Sequence, residues 1–246
     1  NLTVLAANPV VTAALEKTLN SLQLDAGALS AAVLNSDGTI SPVANGFASL
    51  GVAVAPNQQF GLSDVSQLVT AVAVLKAVED GTINLTDNVT TSAGTATIDQ
   101  LLQHLSGYGD FGTAAAYNDP GLGIIYSDLS QDFSGNLAPI FALAGSQGAT
   151  GSFGYASTNF LALGGVTGVA AGQFTGIEFY PGAGPEASYL FNLSGIASEF
   201  LVDQTSVLTS AGAAGGLTAT PIAVAEFMRA LFADQTILNT ASLASL

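Results

Sequence analysis

The stretch VSQLVTAVAVLKAVE, Val65 to Glu79, constrains the fold more than any other segment. Val65, Leu68, Val69, Val72 and Leu75 recur at the i, i+3, i+4, i+7 spacing of a helix. Ala71, Val74 and Val78 fill faces that a surface helix would leave polar. A helix apolar nearly all round must be enclosed by protein on most sides. The spacing therefore predicts a helix over 65–79, stopped by Gly81, with the rest of the chain wrapped around it. At 246 residues the chain can supply that wrapping as one domain spanning 1–246.

The flanking segments supply the partners. VTAALEKTLNSLQL (Val11 to Leu24) has loosely helical spacing. Asp37-Gly38 sits between two apolar runs and predicts an antiparallel hairpin with strands near 28–35 and 39–48. TIDQLLQHLSG predicts a second helix ended by Gly107, and TNFLALGGVTGVAAG a third despite its glycines. TPIAVAEFMRALFA predicts a further helix with Pro221 at its start. Residues 108–150 carry only short apolar islands among Gly, Asp and Ser. No stretch approaches the roughly 18 consecutive apolar residues of a membrane span, so none is expected.

Charge narrows the function classes. Eighteen acidic residues face three cations (Lys17, Lys76 and Arg229) and one histidine, His104, for a net charge of −15. Such a surface repels nucleic acid and anionic membranes. Cysteine is absent, which removes disulfides and thiolate metal sites. No metal or cofactor is expected, and EDGTINLTDN lacks the spacing of a calcium loop. Sequons occur at Asn1, Asn84, Asn88 and Asn192, two of them within one polar turn. With the scarcity of lysine, they lead us to expect a secreted, glycosylated protein.

Four segments, in order, carry a resemblance. AAVLNSDGTISPVANGFAS resembles an opening strand pair, and FGLSDVSQLVTAVAVLKAVEDGTINLTDNV a nucleophile helix with the loop behind it. TIDQLLQHLSGYGDF is similar to an LLxHxSG segment, and GGLTATPIAVAEFMRALF to a GGLxST helix start. Together they resemble the serine β-lactamase and DD-peptidase superfamily, in the branch of the class C β-lactamases and related esterases. The resemblance implies an α/β (α+β) fold of the β-lactamase/transpeptidase type, an antiparallel sheet with a helical lobe over roughly 60–200.

The resemblance also implies a serine followed one helical turn later by a lysine, whose amine activates the hydroxyl. In this sequence those positions hold Asp64 and Gln67. The ordinary explanation of a carboxylate at a helix start is capping of orphan N–H groups, and we expect that of Asp64. The fallback nucleophiles, Ser63 and Ser66, have no base one turn on. Lys76 lies 12 residues beyond Asp64, roughly 18 Å along a helix at 1.5 Å per residue. The family's tyrosine-x-asparagine motif is represented by Tyr155 and Ser157. A tyrosine titrates near pH 10, so Tyr155 without a nearby cation is expected to be a cleft-wall aromatic. His104 matches a position that looks structural.

The family's third motif, a lysine or histidine on a late strand, has no counterpart, and ILNTASLASL resembles the segment just before that strand. The missing strands are expected from a second chain, a C-terminal fragment of a longer precursor or another copy. Alternatively residues 174–194 form a substitute hairpin. The leading functional expectation is a non-catalytic relative with a binding or assembly role. A serine hydrolase acting on an ester or amide through Ser63 or Ser66 with Tyr155 is the alternative, and a structural or filament-forming protein a third.

Overall fold

In the computed structural model, α2 (Val65–Glu79) lies between two apolar clusters, which is why its sequence is apolar on so many faces. The structure describes residues 9–21, 28–49, 52–111, 141–142, 144–167, 177–179 and 213–246. Val74 belongs to a cluster with Val89, Ile98, Leu101, Tyr108, Phe160 and Leu161. Val69, Val72 and Leu75 belong to another with Leu217, Phe227, Leu231 and Leu238. Leu85 and Leu102 pack against both clusters and join them. Val65 is the exception: it is 43% exposed at the open end of the helix.

The helix ends as expected. Gly81 takes a left-handed φ of 71°, Gly81 N–H bonds Val78 O, and Thr82 N–H bonds Ala77 O. These are the paired bonds of a Schellman stop, for which glycine suits best.

Before α2, helix α1 (Pro9–Ser21) leads to β1 (Ala28–Leu34) and β2 (Ile40–Ser49), which pair in antiparallel register from Ala28 opposite Gly46 to Leu34 opposite Ile40. The expected turn is present: Asp37 Oδ1 accepts from Thr39 N and Oγ1, and Gly38 has a φ of 81°. A short β3 (Val52–Ala53) extends this sheet beyond β2. α1 packs on β2, with Asn45 Nδ2 donating to Leu19 O at 2.8 Å.

A second antiparallel sheet places β8 (Leu217–Ala219) between β4 (Phe60–Gly61) and β7 (Ile177–Phe179). All of β8 is buried. Ile177–Phe179 pairs with Leu217–Ala219, and the rest of the segment 174–194, where a substitute hairpin was expected, lies outside the described residues. The hairpin of β5 (Asn88–Thr91) and β6 (Gly94–Thr97) feeds α3 (Ile98–Leu102), whose start is a full capping box between Thr97 and Gln100.

α3 stops five residues before the expected Gly107. His104 takes a φ of 58°, its N–H bonds Leu101 O, and Leu105 N–H bonds Gln100 O. These bonds again make a Schellman stop, with a histidine where glycine or asparagine is usual. Sequence reading placed the stop at the glycine because a left-handed histidine carries no clear signal.

α4 (Thr158–Thr167) packs against α2 and α3. α5 (Pro221–Met228) begins at Pro221 with Thr220 as its cap, packs on β1, and runs into one π-helical turn over Arg229–Ala233. α6 (Thr240–Ala244) is capped by Asn239, whose own N–H bonds Glu79 Oε1 at 2.7 Å and so ties it to α2.

The two-sided burial of α2 generates a contrast. Leu75→Ala should lower unfolding free energy by about 2–5 kcal/mol, the range for a buried leucine truncation. Val65→Ala, at the exposed end, should change it by no more than about 0.5 kcal/mol. Urea titrations of the two variants check this; equal losses would contradict the packing.

Candidate functional site

β4 delivers the chain to the head of α2 through Leu62, whose N–H bonds Leu217 O, and then turns at Ser63. Ser63 holds a left-handed φ of 47°, a conformation that side-chain-bearing residues rarely adopt. The kink puts Asp64 directly into helical geometry, φ −62° and ψ −17°. A capping side chain needs an extended backbone at that residue. Asp64 consequently makes no capping bond, and the expectation that it serves as a cap is corrected. The first-turn N–H groups of Val65, Ser66 and Gln67 bond the carbonyls of Leu62, Ser63 and Asp64 instead.

The freed carboxylate turns toward the other motif positions. Gln67 is buried, and its Nε2 donates to Tyr155 Oη at 2.8 Å and to Asp64 Oδ1 at 3.2 Å. Tyr155 Oη stands 3.5 Å from the same Asp64 oxygen, too far for a strong hydrogen bond. Asp64, Gln67 and Tyr155 thus meet in one triangle. Among the described residues Asp64 Oδ2 takes no hydrogen bond, and Asp64 is exposed.

Tyr155 is held protonated. Burial chiefly pushes its phenol above the ordinary tyrosine value; the Gln67 bond opposes this, and the Asp64 and Asp110 carboxylates add to it. The hydroxyl in this triangle keeps its proton at neutral pH while its oxygen accepts from Gln67 Nε2, so it is not poised as a base.

Ser157 does not join the triangle. Its Oγ and its backbone N–H both donate to Asp110 Oδ1. Its neighbour Thr158 bonds Gly109 O and accepts from Phe111 N–H, so the loop around Asp110 is stitched to the head of α4. Asp110, just after the LLxHxSG segment, escaped sequence reading because an acidic residue in a Gly-rich stretch has many roles. The bond to Ser157 is visible only in three dimensions.

The fallback serines separate. Ser66 is fully buried and its Oγ accepts from Leu217 N–H at 3.3 Å. Ser63 is exposed, and its hydroxyl takes no hydrogen bond among the described residues. Among the described residues neither has an amine beside it: Lys76 Nζ pairs with Asp80 at 2.6 Å, Arg229 bonds Gly38 O and lies 3.4 Å from Asp234, and Lys17 lies on α1.

His104 forms the floor behind Tyr155. Its left-handed backbone aims the ring at Tyr155, with centroids 4.7 Å apart, and at Phe160, 5.5 Å away. Phe153 stands edge-on at 6.2 Å and is 75% exposed. Ala156 N–H can only donate, so His104 Nδ1 must accept from it, at 3.2 Å. Burial, the dominant effect, lowers the imidazole below its ordinary 6.5. Among the described residues no group of three or more His, Cys, Asp or Glu side chains is arranged to hold a metal ion. Asn84 and Asn88 are exposed, while Asn1 and Asn192 lie outside the described residues.

A family model described as Beta-lactamase matches residues 14–246. The chain belongs to the Beta-lactamase family. No curated protein matches it. Among solved structures, it is similar to D-amino acid amidase from Ochrobactrum anthropi SV3 complexed with L-phenylalanine, at 21% identity and TM-score 0.72, covering 95% of this chain and 72% of the amidase. It is similar to SurE with D-Leu at 24% identity and TM-score 0.63, covering 96% of this chain and 56% of SurE. The octameric penicillin-binding protein homologue from Pyrococcus abyssi matches at 18% identity and TM-score 0.66, over 96% of this chain and 59% of the homologue. The β-lactamase/transpeptidase-like fold implied by the four segments is therefore the fold of this chain.

Because the Beta-lactamase-family chain has a single histidine, proton NMR reads its ring directly. The His104 resonance should titrate below 6.5. A folded value below the unfolded one means the unfolded state binds the proton first. The contribution to stability is therefore complete above about 6.5 and declines as pH falls from there through the lower folded value. His104→Gln should flatten that decline. A resonance titrating at or above the ordinary value would contradict the burial described.

Proposed function

We propose that this Beta-lactamase-family protein is a non-catalytic binding protein, keeping the cleft of its relatives without their acyl chemistry. The observation that carries this reading is the chemistry at the head of α2. Where the family motif implies a hydroxyl and an ammonium, the chain has the Asp64 carboxylate and the neutral Gln67 amide, whose donors are directed to Asp64 and Tyr155. A serine becomes a strong nucleophile at neutral pH only beside a base or a cation. Ser66 is buried under Leu217, Ser63 has no such neighbour among the described residues, and Tyr155 is held in its protonated form. The triangle is nonetheless ordered and half-exposed, as suits recognition.

The proposed setting is extracellular, with sugars on Asn1, Asn84, Asn88 and Asn192. Exposure of Asn84 and Asn88 and the acidic composition support it. Among the described strands β1 pairs only with β2. We place any additional strand, whether from a longer precursor, a second chain or another copy, along its free edge, since unpaired strand edges are templates for pairing. An octameric relative is an example of assembly in this fold.

One observation favours a serine hydrolase as the second reading. The strained φ of Ser63 is of the kind that gathers at active sites, and one neighbour in the fold is an amidase. Intact-mass spectra after incubation with a fluorophosphonate and with benzylpenicillin separate the two readings. The expected spectrum has no adduct. A stoichiometric adduct mapped to Ser63 or Ser66 would replace the binding reading with the hydrolase.

A further inference from the structure

We infer that the cleft takes a small protonated amine carrying an apolar group, with its ammonium on the Asp64 carboxylate and its apolar part against Phe153 and Tyr155. This rests on the binding reading above and names its ligand class. Three observations carry it together.

The first is a carboxylate without a cation. Asp64 is exposed, and its contacts among the described residues, from Gln67 Nε2 at 3.2 Å and Tyr155 Oη at 3.5 Å, come from neutral groups and reach one oxygen only. The three cations of the chain offer it nothing: Lys76 is committed to Asp80, Arg229 to Gly38 O and Asp234, and Lys17 lies on α1, against the other sheet. An ammonium would make the shorter, charge-assisted bond that the neutral donors do not.

The second is an open aromatic wall in continuity with that carboxylate. Phe153 and Tyr155 are 75% and 45% exposed, and His104 joins them at 6.2 and 4.7 Å. Tyr155 reaches Asp64 at its hydroxyl end. A ligand whose charge sits on Asp64 lies with its body along these rings, and a cation beside a Tyr or Phe face gains further attraction. Val65, exposed next to Asp64, adds apolar surface at the helix end.

The third is rigidity. Gln67 is buried and fixes both Asp64 and Tyr155, while His104 is pinned from behind by Ala156 N–H. The elements are held in place before a ligand arrives. An anion would be repelled by Asp64 and Asp110, and a neutral molecule would forgo the ion pair.

The experiment is an NMR titration of the full chain in 0.15 M salt, where screening suppresses the attraction of the overall negative charge beyond roughly 8 Å. Three ligands that share a benzyl group and differ in charge are used: benzylamine, benzyl alcohol and phenylacetate. Benzylamine should shift the His104 ring resonances saturably, benzyl alcohol should bind about tenfold more weakly, and phenylacetate should not bind. Asp64→Asn should weaken benzylamine about tenfold. Gln67→Lys, which supplies an internal ammonium to the same carboxylate, should block it. The second variant keeps the test readable if the first unfolds. Equal binding of benzylamine and benzyl alcohol, no saturable shift with benzylamine, or undiminished benzylamine binding in the folded variants would overturn the inference. Failure here leaves the non-catalytic reading standing, whereas a covalent adduct in the mass experiment removes that reading whatever the amine does.

Discussion

Everything in this structure hangs on a helix that has almost no outside. α2 is enclosed by one apolar cluster through Val74 and by another through Val69, Val72 and Leu75. An element gripped on two sides cannot rotate or slide without opening both cores, and close-packed interiors resist that. Its first turn is therefore a fixed reference point. Asp64 and Gln67 occupy set positions because of packing behind them, not because of any ligand in front.

From that reference point the cleft follows. Gln67 is long enough to reach across to Tyr155 and near enough to Asp64 to hold both, and its amide brings two donors and no net charge. The position that family resemblance associates with a positive charge is neutral, and the neighbouring position is negative. The motif positions still meet in space, with different charges on them. What the arrangement can still do is orient, accept and donate hydrogen bonds; what it lacks among the described residues is a means of raising the nucleophilicity of a hydroxyl.

The fold was largely legible in the sequence, and the site only in part. Helical periodicity marked α2 to its last residue, and Asp37-Gly38 marked the hairpin, because each is a local effect of spacing or turn chemistry. The motif positions Asp64, Gln67 and Tyr155 were found by resemblance and do converge. The role given to Asp64 was wrong, since capping was inferred from residue type while the backbone at Ser63 decided the direction of the side chain. Ser157 was placed with the cleft group but is tied to Asp110. The early end of α3 at His104 was missed for the same reason as the kink at Ser63. Left-handed backbone at a residue other than glycine is imposed by tertiary packing, and local sequence does not announce it.

The kink at Ser63 carries a thermodynamic consequence for recognition. A residue held in that conformation persists only when its surroundings leave it no choice, so the corner between β4 and α2 has already surrendered its freedom during folding. An incoming molecule finds nothing there left to immobilise, and the entropy usually charged to ordering a loop at the moment of contact is absent. On the proposed binding reading, even a guest of few atoms would then realise most of what its contacts are worth.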